Sequence, residues 1–152
     1  MKRLSKLLCI TIVGLLFVGL AYAQFAKPGN AIEYRQSVMT IIGHHMGQMG
    51  AMVTGKKPYI KADFFHDATI IEMLSTLPWQ AFLTPGSDKG KTDMKSSALR
   101  EKHKFMAKAS AFETEIRKLV KTAAGDDFNA TKAQFGEVGK SCKNCHQDYR
   151  SR

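Results

Sequence analysis

The chain has 152 residues, 44% of them hydrophobic and 24% charged, with 23 lysines and arginines set against 13 aspartates and glutamates for a formal charge of +10. That length suits one domain. The basic balance suits either encounters with acidic partners or anionic surfaces, or simply a solvated surface, and with no nucleic-acid recognition motif in the chain nucleic acid is not expected as a partner.

The first element is a leader. Lys2, Arg3 and Lys6 precede an apolar run from Leu7 to Leu20, and Ala21-Tyr22-Ala23 closes it with small residues at both recognition positions. A basic start, a short apolar core and an A-x-A end read as a secretory signal. The run is too short for a bilayer span, which needs about 20 apolar residues. Residues 1–23 are therefore expected to be removed, leaving a mature chain of 129 residues, 24–152, in the periplasm with no membrane span. Cys9 leaves with the leader, and so do three positive charges, which lowers the net charge from +10 to +7.

Four helical stretches follow. Pro28 suits a first turn, and Ile32, Met39, Ile42, Met46 and Met49 recur at helical spacing, so the first helix is predicted over 28–53, with Gly55 to Pro58 ending it. The second is predicted over 61–77, with Phe64, Ala68, Ile71, Leu74 and Leu77 on one stripe and Pro78 as its stop. Residues 82–93 hold Pro85-Gly86-Ser87-Asp88-Lys89-Gly90 and read as a loop. The third helix is predicted over 97–123 on Phe105, Phe112, Ile116, Leu119 and Val120. Gly125-Asp126-Asp127 supplies a stop and a new cap, and the fourth helix runs over 128–149 with Phe135 and Val138 inward. No stretch alternates with a period of two. The fold class expected is all-α, an antiparallel four-helix bundle.

Cys142-Lys143-Asn144-Cys145-His146 is a C-x-x-C-H motif. Two thiols at this spacing reach two vinyl groups along one edge of a porphyrin, and the adjacent imidazole can then reach the iron. A disulfide or a thioredoxin-like dithiol is the competing reading, but the latter expects a βαβ setting, and zinc would want four ligands where only one cysteine pair exists. The motif therefore points to one haem c, covalently bound through Cys142 and Cys145 with His146 as axial ligand.

The motif stands at the C-terminal end of a four-helix pattern. With Tyr34-Arg35-Gln36, Gly55-Lys56, Leu77-Pro78-Trp79 with Phe82, and the run from Val138 to Arg150, the chain resembles the class II cytochromes c, the cytochrome c prime and cytochrome c-556 group. The resemblance implies a left-handed bundle with haem between the helices, often a homodimer through the first two. It implies that Arg35, Gln36 and Arg150 lie near the haem propionates, where charge-assisted bonds suit a guanidinium. It also implies that Phe82 and Trp79 lie close to the haem and that Met39, one turn after Arg35, stands at the distal site.

A Met39 thioether on the iron would make a low-spin electron carrier; one that only packs would leave an open site for nitric oxide or carbon monoxide. His44 and His45 are rival sixth ligands, His66 and His103 are expected on the surface, and Met46, Met49 and Met52 read as core. The function expected is haem and iron binding in electron transfer with redox partner proteins. The alternative is a five-coordinate gas-binding protein. No enzymatic activity is expected, because no distal acid–base pair stands out in the first helix.

Overall fold

The computed structural model describes residue 25 and residues 27–151; the predicted leader lies outside the described residues. Six helices follow in order: α1 (Pro28–Val53), α2 (Lys61–Leu74), α3 (Trp79–Phe82), α4 (Ser97–Arg100), α5 (Lys102–Ala124) and α6 (Phe128–Tyr149). The four long ones form the bundle, and no strand occurs among the described residues. No helix among them is long and apolar enough to cross a membrane.

Packing runs in sequence, with α1 against α2, α2 against α5 and α5 against α6. The core is one cluster, in which Val38, Ile42 and Met49 meet Phe64, Ala68 and Ile71, and these meet Phe105, Phe112, Ile116 and Leu119. The fourth seam is different: α1 and α6 scarcely approach one another. Phe135 closes its upper end, stacking on Phe64 at 6.1 Å and reaching the bare face of Gly50.

Local chemistry explains the element boundaries. α1 begins at Pro28, where a missing backbone donor costs nothing, and Gly55 after it takes a φ of 75°, which glycine adopts without strain. α6 is capped by Asp127, whose carboxylate accepts from the Ala130 amide at 3.0 Å. Thr131, fully buried one turn later, donates its hydroxyl to the carbonyls of Asp127 and Thr122.

Two expected boundaries need correction. The second helix stops at Leu74 rather than Leu77. Pro78 disfavours helical geometry before it, the Ser75 hydroxyl turns back to the Glu72 carbonyl, and Leu77 is 41% exposed, outside the core stripe. The chain then turns into α3, a short helix that ends where the loop expected over 82–93 begins. The third helix is broken at Glu101, whose backbone leaves the helical region (φ −109°, ψ 41°). That break frees the segment before it to cap α6. The Lys95 amide donates to the Tyr149 carbonyl at 2.8 Å, the Ser151 amide to Asp93 at 2.7 Å, and Met94 pairs with Arg150 as an antiparallel bridge.

Candidate haem site

On α6 the inward stripe is Thr131, Phe135, Val138, Cys142, Cys145 and Tyr149, alternating steps of four and three. Both cysteines are thus on the face that meets the core, a turn apart, half-buried and free of any disulfide. Burial pushes both thiols up, Cys145 to about 11, so near neutral pH they are protonated thiols. His146 is one residue beyond Cys145 and so is rotated onto the exposed flank. Burial on one side and the nearby Arg150 charge hold its imidazole below the usual range, in the neutral form that binds metals. A carbon added at Gly136 or Gly139, on the same helix, would meet nothing within 4 Å, so α6 has open space beside it at these positions.

The other wall is α1. Its buried stripe includes Arg35, Val38, Ile42, Met49 and Met52, while Met39, Met46 and Val53, seven residues apart, form a half-buried flank packed against the core. The floor is aromatic. Trp79 stacks edge-on against Phe105 and Phe112 at 6.1 Å each, Phe82 is 5.2 Å from Phe105, and Phe105 is 5.3 Å from Tyr149. Trp79 is 7% exposed, and its indole Nε1 is the one buried side-chain polar atom among the described residues without a hydrogen-bond partner. Buried donors of that kind are normally satisfied.

These features fit a haem. A flat apolar group with polar edges matches an unpacked seam lined by methionine thioethers and aromatic rings, with two inward thiols on one wall and an unpartnered donor in the floor. Cys142 and Cys145 would hold it by thioether bonds and His146 by its imidazole.

Arg35 is 2% exposed, and its terminal nitrogens donate to Ala81 O (3.1 Å), Ser87 Oγ (2.9 Å), Ser87 O (2.6 Å) and Thr92 Oγ1 (2.8 Å). Its guanidinium also lies 4.8 Å above the Phe82 ring. Burial lowers its affinity for the proton, partly restored by the Asp88 charge. Arg35 therefore organises residues 81–92, a role the sequence did not signal. Gln36 sits on the surface and donates to the Lys91 carbonyl at 3.0 Å. Arg150 is exposed and pairs with Asp93 at 3.3 Å.

The rival distal histidines are accounted for. His45 Nδ1 lies 2.7 Å from Asp67 Oδ1, which turns it towards α2, and His44 is exposed, stacked edge-on against His45 at 5.2 Å. His66 and His103 are exposed, as expected. The sequence reading missed the cap on the last turn of α6. There Lys108 donates to Asn144 O at 3.1 Å and pairs with Asp148 at 2.8 Å, while Lys95 donates to Gln147 O at 2.9 Å. Cations at the carbonyl end of a helix complement its dipole, and Lys108 holds the Asp148 carboxyl below the usual range.

Comparison with known proteins agrees with this geometry. The family model described as Cytochrome C' matches residues 30–150. The cytochrome c' of Alcaligenes xylosoxydans is 40% identical over 129 residues, covering 85% of this chain and 99% of that one. Among solved structures, cytochrome c prime from Shewanella frigidimarina superposes with a TM-score of 0.82 at 38% identity, covering 85% of this chain and all of that one. A nitric oxide complex of a variant of the Alcaligenes xylosoxidans protein superposes with a TM-score of 0.78 at 39% identity, covering 85% and 99%. A helical bundle with this motif and these relatives is a haem-binding cytochrome, and the chain belongs to the cytochrome c' family.

Proposed function

We propose that the exported, periplasmic form of this protein carries one haem c, bound covalently through Cys142 and Cys145 with His146 as axial ligand, and that it binds nitric oxide and other small neutral gases on the face opposite His146. Covalent attachment is an addition: each S–H bond adds across a vinyl C=C, forming a C–S bond and placing the proton on the terminal carbon. No oxidant or reductant is consumed. The two inward thiols supply the sulfurs, and the neutral imidazole of His146 supplies a nitrogen lone pair. When bound, haem would supply a redox-active iron able to take a diatomic ligand.

The observation that carries the gas-binding reading is the poverty of ligands on α1. His45 is committed to Asp67 and Arg35 to residues 81–92, which leaves the half-buried Met39 thioether as the side chain of α1 we assign to the distal position. We read Met39 as packing over that position, where an apolar lining admits small neutral molecules and excludes water. A variant of a related protein, at 39% identity, has been solved with nitric oxide bound, which supports the same capacity here. Electron transfer is the second reading, favoured by the concentration of basic residues around the C-terminal end of α6.

The test is the absorption spectrum of the reduced holoprotein before and after adding carbon monoxide or nitric oxide. A broad high-spin Soret band that moves on gas addition is expected. A sharp, split low-spin spectrum indifferent to carbon monoxide would replace this reading with a Met39-ligated electron carrier.

A further inference from the structure

The positive charge is not spread over the molecule. Residues 88–108 and 140–151 together hold ten basic and four acidic side chains, while the remaining residues from Phe25 to Gly139 hold nine of each. In sequence the two basic segments are distant. The fold joins them: the Met94–Arg150 bridge and the Lys95–Tyr149 hydrogen bond lay the connection before α5 along the last turns of α6, and the Lys108–Asp148 ion pair ties α5 to the same turns. Nearly the whole net charge of the mature chain is thereby collected at one end of the bundle, around Cys145 and His146.

Much of that charge is free to act outward. Lys91, Arg100, Lys102 and Lys143 are exposed and have no carboxylate partner among the described residues, and Lys104, 78% exposed, has only Glu101 at 3.7 Å. At the opposite end, by contrast, Lys61 is paired with Asp126 at 2.7 Å within a surface of balanced charge. The large apolar residues that are exposed, Ile41, Ile60, Phe65, Met73 and Leu77, all lie on α1, on α2 or beside α2. Met73 and Leu77 lie on the α2 side of the basic end, but residues 88–108 and 140–151 themselves expose no large apolar side chain, so contacts made through them would be electrostatic and reversible. A surface of this kind raises encounter rates with an oppositely charged patch, with a steep dependence on ionic strength.

We propose that this end of the bundle, centred on Arg100, Lys102, Lys104 and Lys143, is a docking surface for an acidic protein. This rests on the haem being attached at Cys142 and Cys145, and it is independent of what fills the iron's sixth position. A partner presenting carboxylates would seat against the exposed flank of α6 that carries His146, bringing its own redox centre to the end of the bundle where the motif lies.

The probe is flavodoxin hydroquinone, an acidic protein that gives up one electron and becomes the semiquinone as the ferric holoprotein becomes ferrous. Its second-order rate constant would be measured at low and high ionic strength, with the small neutral reductant hydroquinone as control. The paired variant Lys102→Glu, Lys104→Glu places acidic residues in the first turn of α5, where a helix tolerates them well. The paired variant Lys56→Glu, Lys132→Glu makes the same charge change at the far end. The first pair is expected to slow flavodoxin at least tenfold at low salt, with the difference shrinking at high salt, and the second pair to slow it less than twofold. Equal slowing by both pairs, or indifference to salt, overturns the proposal while an unchanged hydroquinone rate leaves the haem assignment standing. Failure with both reductants indicts the haem assignment instead. Cosedimentation of the wild type with phosphatidylglycerol vesicles, abolished by the first pair and accompanied by no site dependence with flavodoxin, reassigns the surface to a membrane and overturns the proposal likewise.

Discussion

Replacing Arg35 with methionine keeps most of the side-chain volume and removes the guanidinium, so its effect follows from hydrogen bonds more than from a cavity. Four acceptors lose a donor, but not equally. Ala81 O still receives the Ser87 hydroxyl at 3.2 Å, and Thr92 Oγ1 still receives the Met94 amide at 3.1 Å. Ser87 O, held at 2.6 Å inside a fully buried residue, loses its charged donor. A buried acceptor left unsatisfied costs about 1–3 kcal/mol, and the lost cation–π contact with Phe82 adds about 1–2 kcal/mol. Relief of the guanidinium's own desolvation offsets part of this. The net expectation is about 3 kcal/mol, or roughly 10 °C in Tm for a domain of this size. Arg35→Lys keeps the charge without the fork and should lose about half as much. The assay is guanidinium chloride unfolding of the holoprotein, paired with hydrogen exchange, in which the amides of residues 84–92 should lose protection first. Both variants falling within about 0.5 kcal/mol of wild type would refute the reasoning, because that is the behaviour of an ordinary surface charge.

Phe64 is fully buried and meets both Tyr59 and Phe135; Phe64→Ala should cost about 3–5 kcal/mol in chemical denaturation. Asp127→Ala removes the α6 cap and should cost about 1 kcal/mol, with fraying visible as faster exchange at the Ala130 amide. Glu115 accepts from Lys118 and Gln134, and both bonds hold its carboxyl below the usual range. A carboxylate depressed in the folded state adds stability above its unfolded pKa, and that stability is lost as pH falls through the folded value. Gln134→Ala should therefore move the acid-unfolding midpoint to higher pH, and an unmoved midpoint followed by circular dichroism would count against the linkage. Met39→Leu should leave the spectrum of the reduced protein high-spin, while Met39→Ala should speed carbon monoxide association about tenfold or more in flash photolysis. A switch from low-spin to high-spin on Met39→Leu would show that the thioether had been an iron ligand.

The four long helices were legible because their apolar residues recur at three and four and because Pro28, Gly55, Pro78 and Asp127 mark their ends by well-understood chemistry. The candidate haem site was legible for a different reason: Cys142, Cys145 and His146 are close together in sequence, so no tertiary information is needed to bring them together. What escaped notice depends on distant segments meeting. Arg35 looks like any helical arginine until the fold brings Ser87 and Thr92 to it, over fifty residues away. Leu77 fits the stripe of α2 by spacing and still lies outside it, since the backbone departs from helix three residues earlier. The break at Glu101 has no proline or glycine to announce it, and is explained only by the contacts that Lys95 makes with the end of α6. The concentration of charge at one end likewise emerges only when residues 88–108 are laid against 140–151.

The central claim is that one haem is joined to this chain through Cys142 and Cys145. The most direct measurement is the intact mass of the purified protein after denaturation in acid, recorded for wild type and for Cys142→Ala, Cys145→Ala. The account predicts a wild type heavier than the mature polypeptide by one haem, and a double variant at the bare polypeptide mass. A wild-type polypeptide that sheds its haem in acid, or a double variant that keeps it, would contradict the claim.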